Sequence, residues 1–221
     1  ALHGEEIYKT SHKMGVDLGF EASVGGAIPI IRAIREGFVA NRFLSIYGVI
    51  NGTSNYILSE MTQGGRGFGD VLKAAVKAGY AERDARFDID GTDAAHKLAV
   101  LLTLAYGTPI KFNSIYREGI TGITPLDVEH AREFGYRIKL LAIAKGGGGE
   151  IEARVHPTML PQDHLLANVD GINNAIYLKG DAMGEAMLYG RGAGMMPTAS
   201  AVLSDVVDIA RNIISKGSHR R

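Results

Sequence analysis

The sequence has 221 residues, with 24 basic and 24 acidic side chains, 46% hydrophobic residues, and neither Cys nor Trp. That length suits one globular unit. A formal charge of zero gives no electrostatic reason to bind nucleic acid or an anionic membrane, both of which reward a basic surplus. Without cysteine there is no disulfide and no thiol nucleophile, and no two of the seven histidines form an H-x-x-x-H pair, so a transition-metal site is not expected. No apolar run approaches the roughly 20 residues that span a bilayer. The N-terminus lacks the basic-then-apolar layout of a signal peptide, and a cytoplasmic location is expected. The chain opens on Ala rather than Met and reads as a piece of something longer. Glycine makes up 29 residues, about twice ordinary usage, with no fixed period, so each must serve an individual turn or close approach.

In chain order, residues 5–15 predict a short helix ending near Gly15, and the alternating, β-branched 16–24 a strand. Two glycines and a proline then open a helix whose stripe is Ile28, Ile31, Ala33 and Ile34. A second strand is expected over 43–51 and a helix over 52–64. Residues 68–80 predict a further helix, capped by Asp70 and stopped by Gly79. The acidic stretch 81–91 reads as an ordered loop, and 92–107 as a buried helix. Beyond it lie a strand at 110–120 and a helix at 125–135. Two glycine-centred hairpins follow at 137–157 and 171–190. Ala199, Val202, Leu203, Val206, Val207 and Ala210 give a last amphipathic helix behind Pro197. Helices crowd the first half and paired strands the second. The pattern predicts an α+β domain whose mixed or antiparallel sheet is covered on one face by helices, leaving the other face available for dimerisation.

The densest ionisable cluster is Glu82, Asp84, Asp88, Asp90, Asp93 and Lys97. Asp93 and Lys97 are four apart on an otherwise apolar helix and share a face near its N-terminus. They read either as an ordinary surface pair or as opposite charges placed at a core edge. A lysine kept charged by carboxylates can protonate a developing alkoxide, and spare carboxylates can hold a substrate ammonium, which suits an amino-acid substrate. "FDIDGTD" also contains D-x-D-G-T, the motif of haloacid dehalogenase-like phosphatases, with Asp88 as the nucleophile, although the charged "AERDARF" before it is a poor buried strand. An EF-hand is excluded because Gly91 is fourth, not sixth, from Asp88. Gly190, Gly192 and Gly194 precede a helix N-terminus able to receive a carboxylate or phosphate, but their spacing is not that of a complete dinucleotide fold. "EASVGGAIP" reads either as a plain turn or as one whose carbonyls, with Glu21, ligate a hard cation.

Taken together, "FEASVGGAIPIIRAIR", "GVINGTSNYIL", "GYAERDARFDIDGTDAAHKLAVL", "RVHPTMLP" and "GRGAGMMPTASAVLSD" resemble one family, homoserine dehydrogenase, and specifically its substrate-binding catalytic domain. The resemblance spans residues 1–212, and 213–221 reads as a linker or tail. It implies reversible NAD(P)H-dependent reduction of L-aspartate 4-semialdehyde to L-homoserine, on the way to threonine and methionine. Lys97 becomes the proton donor, Glu82 and Asp93 hold the substrate, and Asp88 supports them. Gly52, Thr53 and Tyr80 line the pocket, while Gly79 and Gly194 approach the nicotinamide. Glu21 and the carbonyls of Val24, Gly26 and Ile28 resemble the family's sodium or potassium site. A homodimer is implied. The family's N-terminal nucleotide-binding domain, its second catalytic lysine and any C-terminal regulatory domain are missing from this sequence, and Arg83 stands where the family usually has Pro. The isolated chain is therefore expected to turn over little substrate. A non-catalytic oligomerisation core completed by another polypeptide is the alternative.

Overall fold

The computed structural model describes residues 2–147 and 149–215. Most of the expected tail, 216–221, lies outside the described residues. Helix α1 (Gly4–Met14) leads into α2 (Ile30–Arg32), which widens into a π turn over Ala33–Gly37, then β1 (Phe43–Val49) and α3 (Gly52–Gly64). Next come α4 (Phe68–Lys77), the single turn α5 (Arg86–Ile89), α6 (Thr92–Tyr106), β2 (Tyr116–Arg117) and α7 (Pro125–Glu133). The chain closes with β3 (Tyr136–Gly147), β4 (Glu150–Pro161), β5 (Asn173–Gly180), β6 (Gly184–Arg191) and α8 (Met195–Ile214).

The six strands form one sheet in the order β2-β4-β3-β1-β5-β6, antiparallel except for the short parallel pairing of β2 with β4. Alternation assigns its faces. Ile46, Leu140, Ala142, Ala144, Ile176 and Leu178 point into the main core, against Ile57 and Leu58 of α3 and Leu98, Leu101 and Leu102 of α6. The opposite side carries Val49, Leu141, Ile143 and Ala175, covered in part by a turn at Leu165–Asn168 that buries Leu166 and Ala167. Tyr47, Tyr177 and Met187 flank that smaller cluster and are only partly buried. The fold is α+β with a mixed sheet, as its sequence pattern implies.

Four local expectations need correction. Residues 16–24 are not a strand, because their partners are side chains and nearby carbonyls of the same chain segment rather than a neighbouring strand. The Glu21 N–H donates to Asp205 Oδ2 at 2.9 Å, and the chain turns over Glu21–Ser23. Gly19 is packed so closely on the Asp205 side chain that a Cβ would overlap it. Residues 110–120 contribute only the two residues of β2, since Phe112–Ser114 form a tight turn and the Ile120 N–H donates to Ile89 O. Helix α4 begins after Gly67 with no side-chain cap; Asp70 sits within its first turn, where a carboxylate favours the helix dipole. The acidic loop 81–91 contains α5, the turn that sets the direction of Asp88.

Candidate active site

The site is built where β1 ends, α3 begins and α6 begins. Helix α6 starts after Gly91, whose φ of 82° is left-handed and suits glycine, while Asp90 Oδ1 accepts the Thr92 N–H at 2.8 Å. Asp93 therefore lies in the first turn, where its charge complements the helix dipole. One turn later Lys97 Nζ donates to Asp93 Oδ2 at 2.6 Å and to the Ile50 carbonyl at 3.0 Å. The two side chains are 21% and 20% exposed, so the pair is neither a solvated surface bridge nor sealed in the core.

Asn51, which the sequence reading did not single out, joins the acids. Its Oδ1 caps α3 by accepting the Ser54 N–H at 2.8 Å. Its Nδ2 donates to Asp88 Oδ1 at 2.7 Å and to Asp93 Oδ2 at 2.9 Å. One amide thus fixes both carboxylates, and the Asp93 oxygen it holds is the one that Lys97 touches. Ser54 Oγ adds a bond to the Asp88 carbonyl at 2.9 Å. The available signal was positional: an Asn directly before a helix that opens G-T-S is a cap. Its partners lie 37 and 42 residues away, which no local pattern conveys.

The remaining candidates distribute around this centre. Thr53 Oγ1 donates to the Tyr80 carbonyl at 2.9 Å, tying the start of α3 to the segment after α4, and the Tyr80 ring packs on Tyr56 with centroids 4.9 Å apart. Gly52 approaches the Ile172 carbonyl so closely that a Cβ would lie 3.2 Å from it. Gly79 has a φ of 76° at the stop of α4. Glu82 is exposed on the following loop and is not among the partners of Lys97, Asp93 or Asn51. Asp84 and Arg86 form a separate exposed pair, in which hydrogen bonding to Arg86 lowers the Asp84 carboxyl to about 2. The phosphatase reading of Asp88 is corrected here: that motif ends a buried strand, whereas Asp88 sits in a helical turn with Oδ1 taken by Asn51.

Two glycine segments meet at the end of β6. The Ala27 N–H donates to the Arg191 carbonyl at 3.1 Å, and Gly26, with a φ of 57°, rests on the Gly192 carbonyl with no room for a Cβ. Gly194, with a φ of 122°, precedes α8, whose first-turn N–H groups have no side-chain cap. They are free to meet an anionic or carbonyl group of a cofactor. Glu21 is 5% exposed, and both its carboxylate oxygens accept backbone N–H groups, from Ile31 at 2.7 Å and Arg32 at 2.9 Å. Burial pushes its carboxyl up from the ordinary value. Each carboxylate oxygen takes one N–H and keeps further acceptor capacity, so Glu21 can still offer oxygen to a cation beside the carbonyls of Val24, Gly26 and Ile28. An all-oxygen set of this kind matches a hard ion.

A second ionic network lies beneath α3. Lys139 is only 2% exposed, and its Nζ donates to Val169 O at 2.6 Å, Asp170 Oδ1 at 2.9 Å and Asn55 Oδ1 at 3.1 Å. Three acceptors match the three donors of an ammonium. Arg137 Nη1 adds a bond to Asp170 Oδ2 at 3.2 Å. Burial pushes the Lys139 ammonium down from its usual value. For Asp170, burial acts upward but is outweighed by the hydrogen bond and charge of Lys139 and by Arg137, leaving the carboxyl below 3.8. A lowered carboxyl stabilises the fold above the unfolded value and loses that contribution as pH falls through the folded one. The urea stability gap between the natural chain and Asp170→Asn is therefore expected to be full at neutral pH and to close as the pH drops below 3.8. A gap independent of pH would contradict the assignment.

Comparison with known proteins gives this arrangement a family. A model of the homoserine dehydrogenase family matches residues 29–207. Homoserine dehydrogenase of Neisseria gonorrhoeae is 52% identical over all of this chain, which covers 51% of that protein. A crystal structure of a homoserine dehydrogenase from Thiobacillus denitrificans superposes with a TM-score of 0.94 at 54% identity, covering 96% of this chain and 49% of that one. A hyperthermophilic archaeal homoserine dehydrogenase mutant in complex with NADPH superposes at 0.80 with 29% identity, covering 94% of this chain and 60% of that one. The chain belongs to the homoserine dehydrogenase family, and it spans about half the length of the relatives it matches.

Proposed function

We propose that this chain is the substrate-binding half of an enzyme that reduces L-aspartate 4-semialdehyde to L-homoserine, reversibly, with NAD(P)H. The observation that carries the reading is the Lys97–Asp93 contact of 2.6 Å, part-exposed at a helix N-terminus and braced through Asn51 to Asp88. The nicotinamide, when bound, supplies the hydride that the carbonyl carbon receives. As the carbonyl π pair moves onto oxygen, Lys97 Nζ gives that oxygen a proton and becomes a neutral amine, which solvent reprotonates. Asp93 keeps the ammonium aimed and, with Glu82, holds the α-ammonium of the substrate. Gly52, Thr53 and Tyr80 shape the pocket, and Gly79 and the Gly194 end of α8 meet the cofactor, consistent with the uncapped first turn of that helix.

The finer assignments follow from the same reading. Glu21 and the carbonyls of Val24, Gly26 and Ile28 take a sodium or potassium ion that stiffens the turn against the 190–194 loop. The sheet face bearing Tyr47, Tyr177 and Met187 pairs with a second copy, and the enzyme works in the cytoplasm toward threonine and methionine. No helix among the described residues is long and apolar enough to cross a membrane.

The chain alone is expected to show little or no NADPH-dependent reduction of aspartate semialdehyde, whereas the same residues joined to a nucleotide-binding domain turn over. Robust activity of the isolated 221 residues would sink the division of labour proposed here. Failure of the joined enzyme would favour the oligomerisation-core reading.

A further inference from the structure

We propose that Lys139 and Asp170 are positioning residues for the proton donor, acting through Asn55 and Asn51 without touching substrate. The inference rests on the role given to Lys97 above. Lys139 and Asp170 lie remote in sequence from the acidic cluster, yet their bonds end on the first turns of α3. Besides accepting from Lys139, Asn55 donates through Nδ2 to the carbonyls of Val169, Gly171 and Asn173 at 2.9, 2.9 and 3.1 Å. Ser59, one turn further along α3, donates its hydroxyl to the Asn55 carbonyl at 2.7 Å, lies 3.3 Å from Asp170 Oδ1 and accepts the Gly171 N–H at 3.1 Å. The segment 169–173 is thereby clamped between β3 and α3, and its Ile172 carbonyl meets Gly52 where no Cβ could fit without displacement.

The opposite end of the same turn carries Asn51. The Asn55 N–H donates to the Asn51 carbonyl at 3.1 Å, so a shift of the clamp moves the amide that holds Asp88 and Asp93. Lys139 is buried while its partner Asp170 is 36% exposed, and replacing an ion pair withdrawn from water by apolar residues of the same shape is often neutral or stabilising, so stability alone does not account for it. Here the pair supplies directional bonds to three separate segments, α3, the 169–170 backbone and β3, which an apolar contact could not orient. A misplacement on the order of 1 Å at the reacting groups is enough to cost about 100-fold in rate.

The test is a double-mutant cycle on the complete enzyme, reading kcat/KM for aspartate semialdehyde with NADPH well below each variant's thermal midpoint. Lys139→Met is expected to lower kcat/KM about 30-fold in the natural background but less than about 3-fold when Asn51 is already Ala, because the two act along one line. Ser59→Ala, which loosens the same clamp without leaving a buried charge, should repeat the pattern at smaller amplitude and serves if Lys139→Met does not fold. Equal losses in both backgrounds, or a fall in thermal midpoint with kcat/KM unchanged, would overturn the inference. An active natural enzyme with an additive cycle removes only this proposal, whereas a natural enzyme inactive on aspartate semialdehyde removes the reading beneath it.

Discussion

Replacing Lys97 with methionine in the complete enzyme is expected to lower kcat for aspartate semialdehyde reduction by about 10²–10⁴-fold, the range spanned by a positioned proton donor. Methionine keeps the length and the apolar stem but has no proton to give. The fold should tolerate the change, because Asp93 Oδ2 retains the Asn51 N–H and about a fifth of its side chain still reaches solvent. Stopped-flow hydride transfer, with circular dichroism as the folding control, checks this. A loss confined to KM would show that Lys97 binds substrate rather than protonating it.

Asp93→Asn should come next in size, with kcat/KM falling on the order of 100-fold, a discounted share of what removing one partner of a desolvated charge pair costs. The substitution keeps an oxygen for Asn51 and Lys97 but removes the negative charge on which the lysine and the substrate ammonium depend. KM should therefore rise together with a fall in kcat. Steady-state kinetics on homoserine and on an analogue without the amino group separate the two: the variant should discriminate between them less than the natural enzyme does. Unchanged discrimination would remove Asp93 from ammonium recognition.

The parts of the molecule that the sequence made legible are those where local periodicity and the final environment agree. Helices α3 and α6 and both hairpins could be read because their apolar spacing is met by a matching core, and the Asp93–Lys97 pair because four residues on a helix is one turn. Residues 16–24 misled because alternation resembles a strand, while Glu21 and Gly19 actually serve α2 and Asp205 through side-chain contacts. Lys139 stayed hidden for a related reason. A lysine in an alternating strand reads as solvent-facing, and its burial depends on Asp170 and Asn55, 31 and 84 residues away. Asn51 was concealed by the same distance effect, although its capping role was visible. Glu82 shows the opposite limit: the family resemblance assigns it a substrate role that no local pattern conveys, on an exposed loop.

Proton transfer from Lys97 requires that its ammonium face the reacting oxygen. A crystal structure of the complete enzyme with L-homoserine bound measures that directly. The homoserine hydroxyl should lie within about 2.6–3.2 Å of Lys97 Nζ, the reach of a proton donor, with Asp93 still in contact with the lysine. A hydroxyl directed at another side chain, with Lys97 beyond hydrogen-bonding distance, would contradict it.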